Sequence, residues 1–317
     1  MGRYIRRRVL HAVAVLWLTY TAIFIAVTLL PSNPVTALVG QISDGAGIDP
    51  DVLGAMKSYY GYDRSPISRY LHQLIELASG DFGYSISSGQ TVVDRIGDAL
   101  PSTLRLAGLA LIVAIVITAL VAYFVYLGRP RALGKLFRVV PPLFSSVPPF
   151  WIGIVALQIL SFQFGLMSVF PDGSLLSVLV PAIVLGIPLS AAVTQVLLQS
   201  IDATYRQEFV EVARAKGAGE AWVFFRHVLK NASAPTLTVA ANIIGLLVGG
   251  AVVTETVFSR SGVGSVLEQA VANQDLALIQ GFVLMIATVF VVVNLAVDLI
   301  YPLLDPRIVR GGDPARA

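Results

Sequence analysis

Six stretches of this chain contain no Asp, Glu, Lys or Arg: Val9 to Leu30, Leu106 to Gly128, Val139 to Pro171, Gly173 to Ile201, Asn231 to Thr254 and Leu276 to Val297. Each exceeds the roughly 20 residues that carry a helix across a bilayer at ~1.5 Å per residue. The pattern predicts six transmembrane helices, an all-α integral membrane protein in which residues 1–317 make a single domain. The longest interruption, 31–99, carries helix signals of its own. Asp49-Pro50 puts a capping carboxylate before a proline at the first helical position and opens a helix to Tyr60, ahead of Gly61. Ser65-Pro66 repeats the device, and Ile67, Tyr70, Leu71, Leu74 and Leu77 recur at helical spacing until Gly80. Val92, Ile96 and Leu100 share a face, which predicts a further helix lying on the membrane and leading into the second span. Segment 31–99 is therefore read as an external helical insertion, either a packed cap or a surface that meets the solute.

Composition strengthens the membrane reading and charge orients it. The chain is 56% apolar and only 13% charged, too few charges to cover a water-soluble fold and leaving no room for a separate soluble catalytic domain. With six spans, segments 1–8, 128–138, 201–234 and 304–317 fall on one side and hold sixteen of the 22 Lys and Arg; the other side holds five. Basic residues resist translocation, so both termini are placed in the cytoplasm. Arg3, Arg6, Arg7 and Arg8 before the first gap resemble the start of a signal peptide, but the apolar run is too long for one and ends without a small-residue cleavage site. It is read as a retained span. The net charge of +3 reflects this asymmetry and does not point to nucleic acid.

The candidate chemistry is sparse. There is no cysteine, and His11, His72 and His227 are scattered, so neither disulfides nor a metal site is expected. Gly128-Arg129-Pro130-Arg131-Ala132-Leu133-Gly134-Lys135-Leu136 has five residues between its glycines where a phosphate loop has four, and Leu136 where a magnesium-binding hydroxyl is needed. No ATP site follows from it. No gap has a charge at its centre, as ion-coupled carriers require; Arg105, Glu255 and Asp298 sit at span ends, where side chains can reach polar surroundings. Spans three to five are rich in Gly and Pro, including Pro141-Pro142, Pro148-Pro149, Pro181, Gly186, Pro188, Gly245, Gly249 and Gly250. Such residues serve close helix packing or a moving pathway, so Gly245, Gly249 and Glu255 are kept as pathway or packing candidates.

The segment 201–234 is the most informative. A polar helix around Gln207 to Lys216 meets Gly217-Ala218-Gly219, where glycine permits a sharp turn, and a second short helix starts at Glu220. Trp222, Phe224 and Phe225 then stand in a hairpin that ought to be polar, and they need an apolar partner surface. Glu211-Val212-Ala213-Arg214-Ala215-Lys216-Gly217 resembles the Glu-Ala-Ala-x-x-x-Gly loop of ABC-importer permeases, with Val212 replacing the first Ala. Phe225-Arg226-His227-Val228-Leu229-Lys230-Asn231-Ala232 is similar to the continuation in the peptide-importer branch, with Lys230 where the broader motif has Pro. The resemblance extends to the N-terminal arginines leading to Leu30-Pro31, Gly61-Tyr62-Asp63-Arg64, Gly80-Asp81-Phe82-Gly83-Tyr84-Ser85, Leu100-Pro101-Ser102-Thr103-Leu104, Glu255-Thr256-Val257-Phe258-Ser259-Arg260, Val293-Asn294-Leu295-Ala296-Val297-Asp298 and Leu304-Asp305-Pro306-Arg307.

Nearly the whole chain thus resembles the first permease subunit of dipeptide/oligopeptide-type ABC importers. The resemblance implies a type I importer permease fold in a bacterial inner membrane. It implies partners: a homologous second permease, two ATP-binding subunits and an extracytoplasmic solute-binding protein, beside the membrane lipid. ATP and Mg would be bound by the ATPase subunits, with no cofactor and no catalysis in this chain. Residues 201–234 become the cytoplasmic coupling hairpin, with Glu211, Ala213, Arg214, Gly217, Trp222, Phe224 and Phe225 as its contact residues. The same branch carries haem, nickel and glutathione as well as peptides, so these solutes remain alternatives. A self-sufficient secondary carrier or channel, whose hairpin would pack on its own spans, is the reading from another class; a membrane-embedded enzyme lacks a converging catalytic set.

Overall fold

The computed structural model describes residues 2–29, 50–59, 62–128 and 130–304. Leu30-Pro31, the cap at Asp49, Gly61, Arg129 and Asp305 to Ala317 lie outside the described residues, as do the surroundings of Gly245 and the side chain of Asp298. The described chain is helical, with one isolated antiparallel bridge between Tyr84 and Thr91. It divides into two compact units, one drawn from residues up to 103 together with 261–291, the other from 104–260 and the residues after 291.

The first unit contains α1 (Gly2–Thr28), α2 (Pro50–Tyr59), α3 (Pro66–Ala78), the start of α4 (Val92–Tyr126), α11 (Val263–Ala272) and the start of α12 (Leu276–Leu304). Helix α3 forms where its punctuation predicts. The Ser65 hydroxyl accepts from the Ser68 N–H at 3.4 Å, Pro66 occupies the first turn, and Gly80 follows at φ +86°. Its Tyr70, Leu74 and Leu77 pack on Tyr20, Phe24 and Leu284. Ile67, Leu71 and Ile75 stay exposed on its flank.

The expectation of a separate surface helix over 92–100 is corrected. Those residues begin α4, which runs unbroken through Pro101. Thr91 caps it, with its hydroxyl bonded to the Asp94 carboxylate and accepting the Asp94 N–H at 3.1 Å. Val92 and Ala99 are buried among Val263, Val266 and Phe282, and Val92 abuts Gly281, where a Cβ has no room. Burial of this face holds it inside the unit. Asp275, also buried, ties the 84–91 turn to the start of α12. It accepts from Ser85 Oγ at 2.6 Å, Ser87 Oγ at 2.8 Å, Ser87 N at 3.0 Å and Leu278 N at 3.2 Å.

The second unit holds the rest of α4 with α5 (Arg131–Ser146), α6 (Pro149–Leu157), α7 (Leu175–Tyr205), α8 (Glu208–Ala215), α9 (Glu220–Val223) and α10 (Leu229–Val257). Helix α4 meets α7 at Gly186, where a Cβ would lie 2.8 Å from the Ala110 carbonyl oxygen. Thr118 and Thr194 exchange a hydrogen bond at 2.9 Å between the same two helices. Helix α10 packs on α7 through Leu247 and Ala251, which join Leu106, Ala110, Ala182 and Leu185 in one cluster.

Among the described residues, four helical stretches are long and apolar enough to cross a membrane: Arg8–Thr28, Val92–Tyr126, Leu175–Tyr205 and Leu276–Leu295. A fifth arises if Arg131–Ser146 and Pro149–Gln163, bent by 97°, are one broken span. The third charge gap is therefore not one straight helix. Val147, preceding a proline, adopts φ −106° and ψ 125°, and Pro148 at φ −61° and ψ 137° continues the extended break before Pro149 restarts the helix. The fifth gap lies within α10, a helix of 29 residues.

Candidate functional site

The hairpin between α7 and α10 is built on a small core. Val210 of α8 is fully buried against Leu197, Leu198 and Ile201 of α7 and against Val223, Phe224 and Val228. Beyond α8 the chain reverses through a Schellman turn. The Ala218 N–H reaches the Ala213 carbonyl at 3.2 Å and the Gly217 N–H reaches that of Arg214 at 2.9 Å, with Gly217 at φ +82°. Ala213 and Ala218, the two residues that such a turn brings together, both pack on the core. Arg214 then spans the turn in a bidentate pair with Glu220, Nε to Oε1 at 2.9 Å and Nη2 to Oε2 at 3.0 Å, and lies 5.4 Å from the Tyr205 ring centre. Glu211 is exposed on the outer face of α8.

The second limb differs from expectation in two respects. It is not a separate short helix, because Glu220–Val223 passes through a π-helical turn, Phe224–Val228, directly into α10. The wider turn also changes which aromatics face out. Phe224 is 3% exposed and packs 5.9 Å from Tyr126, whereas Trp222 and Phe225 are 54% and 59% exposed. Phe224 therefore belongs to the core, and the apolar surface offered by the hairpin consists of Trp222 and Phe225, with Arg226 beside them. Trp222 is steadied by His227, ring centres 4.9 Å apart.

Charged and hydroxyl groups that sequence reasoning overlooked brace this region. Arg138 of α5 forks onto Asp202 of α7, Nη1 to Oδ2 at 2.7 Å and Nη2 to Oδ1 at 2.9 Å. The Tyr126 hydroxyl lies 2.7 Å from Asp202 Oδ1 and 2.9 Å from the Leu198 carbonyl, and its ring stacks under Arg138 at 5.3 Å and beside Tyr205 at 5.7 Å. The signal was present: Arg138 and Asp202 are opposite charges directly flanking two of the uncharged gaps.

The pathway and packing candidates separate. A Cβ on Gly249 would meet nothing within 4 Å among the described residues, whereas one on Gly250 would touch Leu185 Cδ1 at 3.1 Å. Gly245 lies within α10, but its surroundings fall outside the described residues. Glu255 is fully buried, which corrects its expected position at a wet span end. Its neighbour Arg260 is also buried and donates from Nη1 to the Ser177 carbonyl at 2.9 Å.

Residues 114–310 match the family model described as binding-protein-dependent transport system inner membrane component. The chain is 32% identical over 319 residues to a protein of Brucella suis biovar 1 (strain 1330) provisionally named a peptide permease, covering 97% of this chain and 99% of that one. It is 27% identical over 308 residues to the glutathione transport system permease protein GsiC of Escherichia coli (strain K12), with the same 97% and 99% coverage. Among solved structures, an inward-facing MetNI methionine ABC transporter superposes with a TM-score of 0.55 at 16% identity, over 66% of this chain and 96% of that one. An amino acid ABC transporter gives 0.52 at 17% identity, over 68% and 94%. At such identities the superpositions establish a shared fold.

Proposed function

Because this chain belongs to the family of binding-protein-dependent transport system inner membrane components and is an ABC importer permease, we propose that it conducts short peptides inward and takes its energy through the 208–228 hairpin. The observation that carries the second part is the split between neighbouring aromatics. Phe224 and Val223 anchor the hairpin in the chain's own core, while Trp222 and Phe225 stand exposed on the limb that follows the turn closed by Gly217. An ABC importer needs an ATPase, and an exposed apolar pair with Arg226 beside it, on a hairpin that also carries Glu211 and Arg214, is a seat for one. Closure of the ATPase would pull this hairpin, and α7 and α10, continuous with it on either side, would carry the movement into the membrane.

In this reading the chain spans the membrane six times with both termini in the cytoplasm, α10 and the broken α5–α6 pair supplying the spans beyond the four strongly apolar ones. It works with a homologous second permease, two ATP-binding subunits that hold the ATP and Mg, and an external binding protein. Peptides are favoured as cargo because a peptide permease and a glutathione permease, glutathione being itself a small peptide, are relatives along the full length. The test is reconstitution of the complete transporter in proteoliposomes. Uptake of trialanine should require both ATP and the binding protein. Uptake by this chain alone under an ion gradient would reverse the conclusion.

A further inference from the structure

The first unit encloses a cavity of about 310 Å³ beneath α3, bounded also by the ends of α1 and α12. That volume sits at the lower end of the ~300–1,000 Å³ typical of small-molecule sites. Its polar wall is one face of α3. Arg69, Gln73 and Glu76 stand at i, i+4 and i+7, so guanidinium, amide and carboxylate follow one another over about 10 Å of helix axis.

The cationic end is preorganised and lacks an anion. Arg69 donates to Thr28 Oγ1 at 3.0 Å and is held between the rings of Tyr62 at 4.9 Å and Phe24 at 5.2 Å, and neither it nor Arg64 has a carboxylate partner among the described residues. In the middle, Gln73 Oε1 is buried without a hydrogen-bond donor among the described residues, which costs free energy unless a donor reaches it. At the far end Glu76 carries a carboxylate, 3.0 Å from His72 Nε2. Burial pushes the Tyr62 hydroxyl up to about 12, so the aromatic wall stays neutral at physiological pH.

An extended peptide spans about 3.3–3.6 Å per residue, so two or three residues cover the distance from Arg69 to Glu76, whereas a single amino acid does not. The α3 dipole favours the same polarity, an anion toward its N-terminal end and a cation toward its C-terminal end. We propose that this cavity is a second solute site, binding a zwitterionic peptide of two or three residues. The peptide carboxylate meets Arg64 and Arg69, a backbone N–H meets Gln73 Oε1, and the ammonium group meets Glu76. This rests on the peptide reading above and adds a place, apart from the membrane pathway, where the cargo is held by its two ends.

Equilibrium dialysis of trialanine, trialanine amide and N-acetyl-trialanine against the complete transporter without its binding protein tests this. Wild type should hold trialanine at least about tenfold more tightly than either blocked form, since each loses one charge-assisted contact. Glu76→Gln should weaken trialanine and leave N-acetyl-trialanine unchanged; Arg64→Gln, at an exposed residue whose loss disturbs no packing, should weaken trialanine and leave the amide unchanged. Equal binding of all three peptides, or trialanine affinity indifferent to both substitutions while wild type still imports trialanine, would overturn the site and leave the peptide function standing. Absence of trialanine uptake by the wild-type complex would remove the peptide function and this site with it.

Discussion

The two short amphipathic helices α3 and α8 are built alike, but the polar groups around them are satisfied to different degrees. Each ends at a glycine with positive φ, Gly80 at +86° and Gly217 at +82°, and each is pinned to its own unit by a cluster containing aromatic rings. In the hairpin the polar groups answer one another, Arg214 to Glu220, while Trp222 and Phe225 remain more than half exposed. On α3, Tyr70, Leu74 and Leu77 are packed and Ile67, Leu71 and Ile75 are exposed, while on the cavity side Gln73 Oε1 has no donor and neither Arg69 nor Arg64, just ahead of the helix, has a carboxylate partner among the described residues. What a helix leaves unpaired specifies its complement. The hairpin asks for a hydrophobic protein surface, and the α3 face asks for a small polar solute.

The sharpest way to break the hairpin half of this comparison is to separate Phe224 from Phe225. Phe224→Ala removes a ring buried among Tyr126, Val210 and Val228 and should destabilise the chain itself by about 3–5 kcal/mol, visible as a lower unfolding temperature of the purified subunit. Phe225→Ala should leave that temperature unchanged and instead weaken ATPase binding by about 2 kcal/mol, close to thirtyfold, in pull-down titrations, with Trp222→Ala alike. Matching behaviour of the two phenylalanines in both assays would show that the core-and-surface division is mistaken.

Next in size is the turn. A Cβ on Gly217 meets nothing within 4 Å, so Gly217→Val acts through backbone strain alone, at about 1 kcal/mol or more, tilting the seat relative to α8. ATP hydrolysis should continue while coupled uptake falls severalfold. Gly217→Asn, which tolerates left-handed backbone better, should recover much of the uptake. Equal uptake by wild type and the valine variant would dissociate the turn from coupling.

How much of this was legible in sequence depends on whether the signal was local. Gly217 could be read directly, because a turn after a polar helix needs a residue that tolerates positive φ. The helix at Pro66–Ala78 could be read from Ser65-Pro66 and Gly80 for the same reason. Phe224 and Phe225 could not be told apart, since the π-helical turn over 224–228 shifts the face by one residue and the ordinary helical period is blind to it. The 97° bend in the third gap was half visible: Pro148-Pro149 marked the place, but a count of uncharged residues carries no direction. The burial of Val92 and Ala99 depended on partners far along the chain, such as Phe282, which no window around them contains. Arg69, Gln73 and Glu76 stand at helical spacing in the sequence, but nothing local marks their face as lining a cavity.

The smallest expected effect on stability falls on Gly249, and there the comparison can be sharpened within one helix. Gly249 and Gly250 are adjacent in α10, but only Gly250 approaches another part of the chain, Leu185 at 3.1 Å, whereas the space beside Gly249 is open to 4 Å. The Cβ of a leucine at 249 therefore meets nothing within 4 Å among the described residues, and leucine replaces a poor helix former by a good one, which should leave stability within about 1 kcal/mol of wild type. If the open face belongs to the conducting route or to the second permease, the added side chain occupies space that another body needs. Gly249→Leu should then insert normally and recruit the ATPase, yet lose most trialanine uptake, while Gly249→Ala keeps most of it. The comparison that decides is with Gly250→Leu, whose side chain is driven into Leu185: it should lose folded yield first and uptake only as a consequence. Wild-type uptake by Gly249→Leu would show that this face of α10 meets only lipid.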